Sequence, residues 1–291
     1  MNDQTTILVT GADGFIGRHL VPYLASQGYR VVAASRLAAA FDDQNVVSVT
    51  LPDLLFPFDW LPLLQNCDAV VHLAGIAHRF AHEHQYDLVN HRATAALAQA
   101  AARCGAHLVF VSSIAAQSGA FSDHELTEDD APAPINAYGR SKLAAEEAIR
   151  ASGVSFTILR PVVIYGGGEK GNFALVHKIA RLPLPLPFGA LTAPRSVLSV
   201  ENLNSAVATV LTNPQARGET LIVSNPVTVT VAEIVAHYRA RQGRPAWLIP
   251  VPQKWLARFF KIAGMSTTWQ GIGCPLIARP RKLLALGWKP S

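Results

Sequence analysis

Short, unbroken apolar runs recur along the first 160 or so positions, and helically spaced apolar residues fill the gaps between them. "TTILVTG" (5–11), "YRVVAAS" (29–35), "NVVSVTL" (45–51), "DAVVHLAG" (68–75), "HLVFVSS" (107–113) and "SFTILRP" (155–161) read as strands. Their lack of polar alternation suits a parallel sheet covered on both faces. "FIGRHLVPYLASQG" (15–28), the Ala-rich stretch 86–105 and "NAYGRSKLAAEEAIRASG" (136–153) read as helices. This alternation predicts an α/β doubly wound fold of the Rossmann kind.

Past Pro161 the pattern loosens. "YGGGEKGN" is a glycine-rich loop, and "RLPLPLPFGALTAP" alternates proline with large apolar residues, which forbids helix and predicts an extended cover. Helices are predicted over 229–243 and over "PQKWLARFFKIAG" (252–264). The expected division is a dinucleotide-binding domain over 1–165 and a smaller substrate lobe over 166–291, interleaved with it. The second of those helices is basic and amphipathic. A membrane surface is one use for it, and packing one face on the lobe is the commoner one.

Composition narrows the class. Of 291 residues, 50% are hydrophobic and 15% charged, which excludes a disordered chain. No apolar run is long enough to span a bilayer. The start "MNDQTTILVTG" lacks the signal-peptide pattern, so a cytoplasmic protein is expected. The net charge of +5 suits an anionic small molecule, and no basic run with interleaved aromatics argues for nucleic acid. Cys67, Cys104 and Cys274 lack zinc-site spacing and read as reduced apolar fillers. His78, His82 and His84 cluster in sequence without a partner cysteine or acid pattern, so no metal is expected.

Gly11, Gly14 and Gly17 lie between the first strand and the first helix. In that context each has a use: Gly11 for a sharp turn, Gly14 for close approach of a pyrophosphate, and Gly17 for packing of helix on strand. Amides around Phe15 and Ile16 would then face the phosphates at the helix N-terminus. The second strand should end in an acid if the adenine ribose carries a free 2′-OH. It ends in Ser35 and Arg36. A hydroxyl and a guanidinium suit a 2′-phosphate, so NADP is expected and NAD is the alternative. The bland reading of Arg36 is a solvated loop charge.

Tyr138 and Lys142 stand four apart in "AYGRSK" and share a helix face. The ammonium is expected to lower the phenol's pKa, which is about 10 when unperturbed. Ser113, at the C-terminal end of its strand, is placed to bond the same substrate oxygen. Together these three predict a proton-transfer set beside a hydride carrier.

With these residues in place, the chain resembles the extended short-chain dehydrogenase/reductase family, the NAD-dependent epimerase/dehydratase group. "TGADGFIG", "VVHLAG", "VSS", "YGRSK", "LRPVVIYGGG" and "LGWKP" carry the resemblance over nearly the whole length. It implies that Ser113, Tyr138 and Lys142 are catalytic. It implies that Gly11, Gly14, Phe15, Ile16 and Gly17 hold the pyrophosphate, and that Asp53 and Leu54 flank the adenine. Leu73, Ala74 and Gly75 would line the cofactor, with Pro161 near the nicotinamide. It further implies a nucleotide-linked sugar whose diphosphate meets Asn172 and Arg195. Without the family, Arg195 reads equally well as a surface charge.

Where family dehydratases carry a Thr-Asp-Glu run, this chain has Ser113, Ile114 and Ala115, so no acid is present for water elimination. "SSIAAQSG", "LRPVVIYGGGEKGNF" and "LPLPLPFG" resemble bacterial surface-polysaccharide enzymes that are UDP-sugar 4-epimerases or reductases of UDP-4-keto-6-deoxy-N-acetylhexosamines. A second phosphate-binding arginine has no match in "AGMSTTWQGIGCPL"; Arg279 and Arg281 follow it. The expected function is a UDP-4-keto-hexosamine 4-reductase, with a UDP-sugar 4-epimerase holding tight NAD as the alternative. A non-catalytic dinucleotide sensor on the same fold is the reading from another class. A homodimer is the expected assembly, being the commonest symmetric one.

Overall fold

Strand β1 (Thr6–Thr10) owes its apolar centre, Ile7 to Val9, to its place inside a sheet buried on both faces. Ile7 and Val9 point into one core, and Leu8 into the other. The computed structural model describes residues 4–37, 39–77, 81–166 and 178–291. Among them, β2 (Arg30–Ser35), β3 (Val46–Thr50), β4 (Ala69–His72), β5 (His107–Val111), β7 (Phe156–Pro161) and β10 (Thr220–Val223) join β1 in a seven-stranded sheet. The order is β10-β7-β5-β4-β1-β2-β3, and every pairing is parallel. The strand order therefore reverses between β1 and β4, where ligands bind outside the strands' carboxyl ends. Ser35, His72, Val111 and Pro161 all end strands at that edge.

Helix α1 (Gly17–Ser26) and α6 (Val200–Thr212) fill one core with Leu20, Leu24, Leu203 and Val207. On the other face, α2 (Leu61–Leu64), α4 (Ala93–Cys104) and α5 (Ala137–Ala151) contribute Leu64, Leu97, Ala145 and Ile149.

The expected helix over 86–105 is broken into three parts. A single turn, α3 (Glu83–Tyr86), leads into a π-helical segment (Asp87–Arg92) before α4 begins. The wider turn brings the Asn90 side chain onto the backbone of Ile76.

Past Pro161 the chain forms its own small core and returns to the main sheet. β8 (Val163–Tyr165) pairs with β9 (Val197–Ser199), and β6 (Glu125–Leu126) pairs with β11 (Ile277–Ala278). Leu186 and Leu191 share a core with Val235 and Tyr238 of helix α7 (Val231–Arg241). Helix α8 (Gln253–Ile262) buries Leu256 but leaves Trp255, Phe259 and Ile262 exposed. α9 (Ser266–Gly273) and α10 (Arg281–Ala285) follow it in the chain. Helix α6 and strand β10 were not anticipated from the sequence. The expected cover over 181–194 contains no helix, in keeping with the expectation.

Candidate functional site

Gly11 leaves β1 at φ +72°, a conformation that favours glycine, and a Cβ there would lie 2.8 Å from the Ala74 amide nitrogen. A Cβ on Gly17 would lie 2.4 Å from the Gly11 carbonyl oxygen, so α1 can pack on the turn only with glycine there. A Cβ on Gly14 meets nothing nearer than the Gly11 oxygen at 3.0 Å. The turn is pinned by Gly14 N–H donating to Gly11 O and by Ala12 N–H donating to Ala34 O. The amides of Phe15, Ile16 and Gly17 have no hydrogen-bond partner among the described residues. A helix N-terminus with unpaired N–H groups under an open glycine turn fits a dinucleotide's pyrophosphate.

Leu73 and Ala74 are tied into the same cradle. Their amides donate to Thr10 Oγ1, each at 3.2 Å. Thr10 Oγ1 also meets His72 Nδ1 at 2.7 Å; His72 Nε2 meets Thr94 Oγ1 at 2.9 Å; and Thr94 donates to Asn90 O at 2.7 Å. Since the Thr94 proton goes to Asn90, Thr94 accepts from His72. The ring is therefore the neutral Nε2–H tautomer, taking the Thr10 proton on Nδ1. Complete burial holds its pKa down to about 3, with the nearby Lys142 charge acting in the same direction.

At the end of β2 the expected pair separates. Ser35 is buried and its hydroxyl donates to Leu37 O at 2.7 Å, so its proton is committed inside the chain rather than offered to a ligand. Arg36 is exposed, with no hydrogen-bond or ion-pair partner among the described residues. Asp53 is exposed and closes a local turn by accepting from Leu55 N–H at 3.1 Å, whereas Leu54 is buried. Pro161 ends β7 beside Val223.

Helix α5 delivers the reactive side chains. Asn136 caps it by accepting from Gly139 N–H at 2.7 Å. Tyr138 hydrogen-bonds Ser113, whose Oγ also accepts from Ala115 N–H at 3.1 Å. The structure corrects the expected electrostatics of Tyr138. Its pKa is raised, because burial outweighs the Ser113 hydrogen bond, and Tyr86, 6.1 Å away ring to ring, adds to the rise. Lys142 is buried and donates to Val111 O at 3.0 Å, with Nζ 4.5 Å from the centre of the Phe110 ring. Burial depresses its pKa to about 8 against the pull of Glu146. The ammonium thus spends itself on a carbonyl and a ring face, and the phenol stays a neutral acid.

Asn90 belongs to the same site. Its Oδ1 accepts from Ile76 N–H at 2.7 Å, and its Nδ2 donates to Ile76 O and to Ser141 Oγ, both at 3.0 Å. Ser141 in turn donates to Tyr138 O at 2.8 Å. A Cβ on Gly75 would lie 2.9 Å from Asn90 Oδ1 and 3.8 Å from Lys142 Nζ, so the loop after β4 and α5 meet there. One turn past Lys142, the buried Glu146 accepts from Ser112 Oγ at 2.6 Å and from Arg160 at 3.0 and 2.6 Å. This charge-assisted fork fastens α5 to β7 just before Pro161. Sequence reading missed Asn90 and this fork; an asparagine, a poor helix former, amid an Ala-rich helical pattern was the available signal for the first.

Asn172, expected at a sugar nucleotide, lies outside the described residues, and so does His78 of the histidine cluster. Arg195 is buried and not a surface charge. Its guanidinium donates to the carbonyls of Cys274 (2.5 Å), Ala120 (3.1 Å) and Gln270 (3.4 Å). Arg279 and Arg281 both pair with Glu125. His82 caps α3 within a capping box. Among the described residues no helix is long and apolar enough to cross a membrane.

Comparison with known proteins gives four likenesses. The NAD dependent epimerase/dehydratase family matches residues 7–224. A UDP-glucose 4-epimerase of Vibrio cholerae is 32% identical over 299 residues, covering 98% of this chain and 90% of that protein. A ceramide reductase of Caulobacter vibrioides is 33% identical over 198 residues, covering 67% of this chain and 57% of that protein. The solved structure of MoeE5 in complex with UDP-glucose and NAD has a TM-score of 0.79 at 25% identity, covering 98% of this chain and 93% of that one.

Proposed function

The chain belongs to the NAD dependent epimerase/dehydratase family and is an NAD(P)-dependent oxidoreductase of that group; on that premise we propose that it is an NADPH-linked reductase of a nucleotide-linked 4-keto sugar, of the UDP-4-keto-hexosamine class. The observation that carries the reading is Arg36: an exposed guanidinium at the end of β2 with no partner among the described residues, where an acid would serve a ribose 2′-OH. The dinucleotide, when bound, supplies the hydride.

The chain's own residues supply the rest. Amides of Phe15, Ile16 and Gly17 hold the pyrophosphate, and the Thr10–His72 network fixes the loop beneath it. Ser113 and Tyr138 converge on the carbonyl oxygen. The raised pKa of Tyr138 keeps its proton available for donation to that oxygen, which is what a reduction needs. Lys142, buried one turn along the same helix, is held by Val111 O. Asn172 and Arg195 are assigned to the substrate diphosphate. Arg195 would exchange one of its carbonyl partners for a phosphate oxygen, a contact the guanidinium fork suits. Asp53 and Leu54 remain assigned to the adenine, and Pro161 to the nicotinamide.

A second reading, a UDP-sugar 4-epimerase, is supported by the Vibrio cholerae relative, which aligns over nearly the whole chain. Coenzyme preference separates the two. Dissociation constants for NADPH and NADH are measured on wild type and on Arg36→Ala. The reductase reading expects tighter NADPH, and a loss of roughly 10- to 150-fold for NADPH alone in the variant. Wild type preferring NADH, or equal loss of both coenzymes, rejects it.

A further inference from the structure

Charge is distributed unevenly along this chain. Residues 234–291 contain ten Lys and Arg and no Asp or Glu, whereas residues 1–233 contain fifteen basic and twenty acidic residues. Such asymmetry between two parts of one chain is a mark of binding to a polyanionic surface.

Within the basic part, helix α8 shows how the charge is displayed. Advancing about 100° per residue, Trp255, Phe259 and Ile262 fall within one narrow arc, and Lys254, Arg258 and Lys261 fall within the arc beside it. Leu256 faces the lobe on the third side and is buried. The apolar arc is not packed away: Trp255 is 66%, Phe259 64% and Ile262 78% exposed. Lys254, Arg258 and Lys261 are exposed and have no ion-pair or hydrogen-bond partner among the described residues. The helix therefore presents to solvent an apolar strip flanked by unpaired cations. Just before it in the chain, Trp247 and Ile249 are also exposed, and Trp247 is held at φ 41°, an unfavoured conformation for a bulky residue.

We infer that the exposed half of α8 is a membrane-docking surface, on which the protein lies against a bilayer rich in anionic lipid. Trp and Phe beside Lys and Arg on one helix match the interfacial zone, where rings enter the headgroup boundary and cations meet lipid phosphates. A second copy of this chain fits the face poorly, because two-fold pairing would set unpaired cations against cations with no acid within 234–291 to offset them. Single-stranded nucleic acid would use the rings for stacking but has no use for the exposed Ile262 and Met265.

The test is sedimentation of the full-length protein with vesicles of phosphatidylcholine alone and of phosphatidylcholine mixed equally with phosphatidylglycerol. Binding to the mixed vesicles, weakened by salt and weak on phosphatidylcholine alone, is expected. The triple substitution Lys254→Glu, Arg258→Glu, Lys261→Glu should lower partitioning on the order of 100-fold. Trp255→Ser with Phe259→Ser should abolish it, with coenzyme affinity unchanged in both variants as the check on folding. No binding of wild type to anionic vesicles overturns the inference. So does equal binding to both vesicle types that ignores salt, loss of self-association on substitution in place of lipid binding, or retention of RNA with vesicles ignored.

Discussion

Gly139 lies directly beneath the carbonyl of Ala115: a Cβ there would sit 2.2 Å from that oxygen and 3.1 Å from Pro134 Cβ. No other residue lets α5 press so closely on the 3-10 turn Ile114–Ala116, and that approach brings Tyr138 against Ser113. The obstacle is backbone, which cannot swing aside. Gly139→Ala should therefore lower the melting temperature despite alanine's better helix propensity. It should also cut turnover roughly 100-fold by displacing the phenol, with NADPH affinity nearly kept. Kinetics beside a coenzyme titration check this; unchanged kcat would mean that the close approach does not position Tyr138.

The glycine turn yields a contrast. At Gly14 a methyl group meets only the Gly11 oxygen, at 3.0 Å, so Gly14→Ala should fold with near-normal stability yet lose most dinucleotide affinity. At Gly17 a Cβ would lie 2.4 to 2.7 Å from backbone of Gly11 and Ala12, so Gly17→Ala should first lose stability. Thermal melts with and without NADPH separate the two. Equal behaviour of the variants would mean that Gly14 serves only the turn.

Part of this site was legible because it is local. Gly11, Gly14 and Gly17 fall within one strand–turn–helix unit, and Tyr138 and Lys142 within one helix. What escaped depends on distant partners. Asn90 reads as an interruption in a helix until Ile76 and Ser141 come to meet it. Arg195 finds its acceptors 75 and 79 positions later in the chain. Ser35 looked available as a donor, but its proton is taken two residues on. The Tyr138 pKa went the wrong way because spacing shows a nearby ammonium and hides the burial that outweighs it.

Stability should depend on pH through His72. Its pKa in the fold is about 3, against 6.5 when free, so the unfolded chain binds the additional proton between those values. The stabilisation is fully present above pH 6.5 and is lost as pH falls toward 3, at most about 5 kcal/mol. His107, held at about 4 by burial, acts in the same direction. In urea melts across that window, His72→Asn should be less stable at neutral pH but show a shallower slope with pH. An unchanged slope would mean that His72 is not buried as a neutral ring.

The most direct measurement is a coenzyme balance. Purified protein is given NADPH and a UDP-4-keto-6-deoxy-N-acetylhexosamine, and NADPH oxidation is compared with sugar product formed. The account predicts one NADPH oxidised per reduced sugar, slowed roughly 100-fold or more in Tyr138→Phe with NADPH affinity retained. Interconversion of UDP-hexoses at C4 with no net coenzyme consumed, or near-full turnover in Tyr138→Phe, would contradict it.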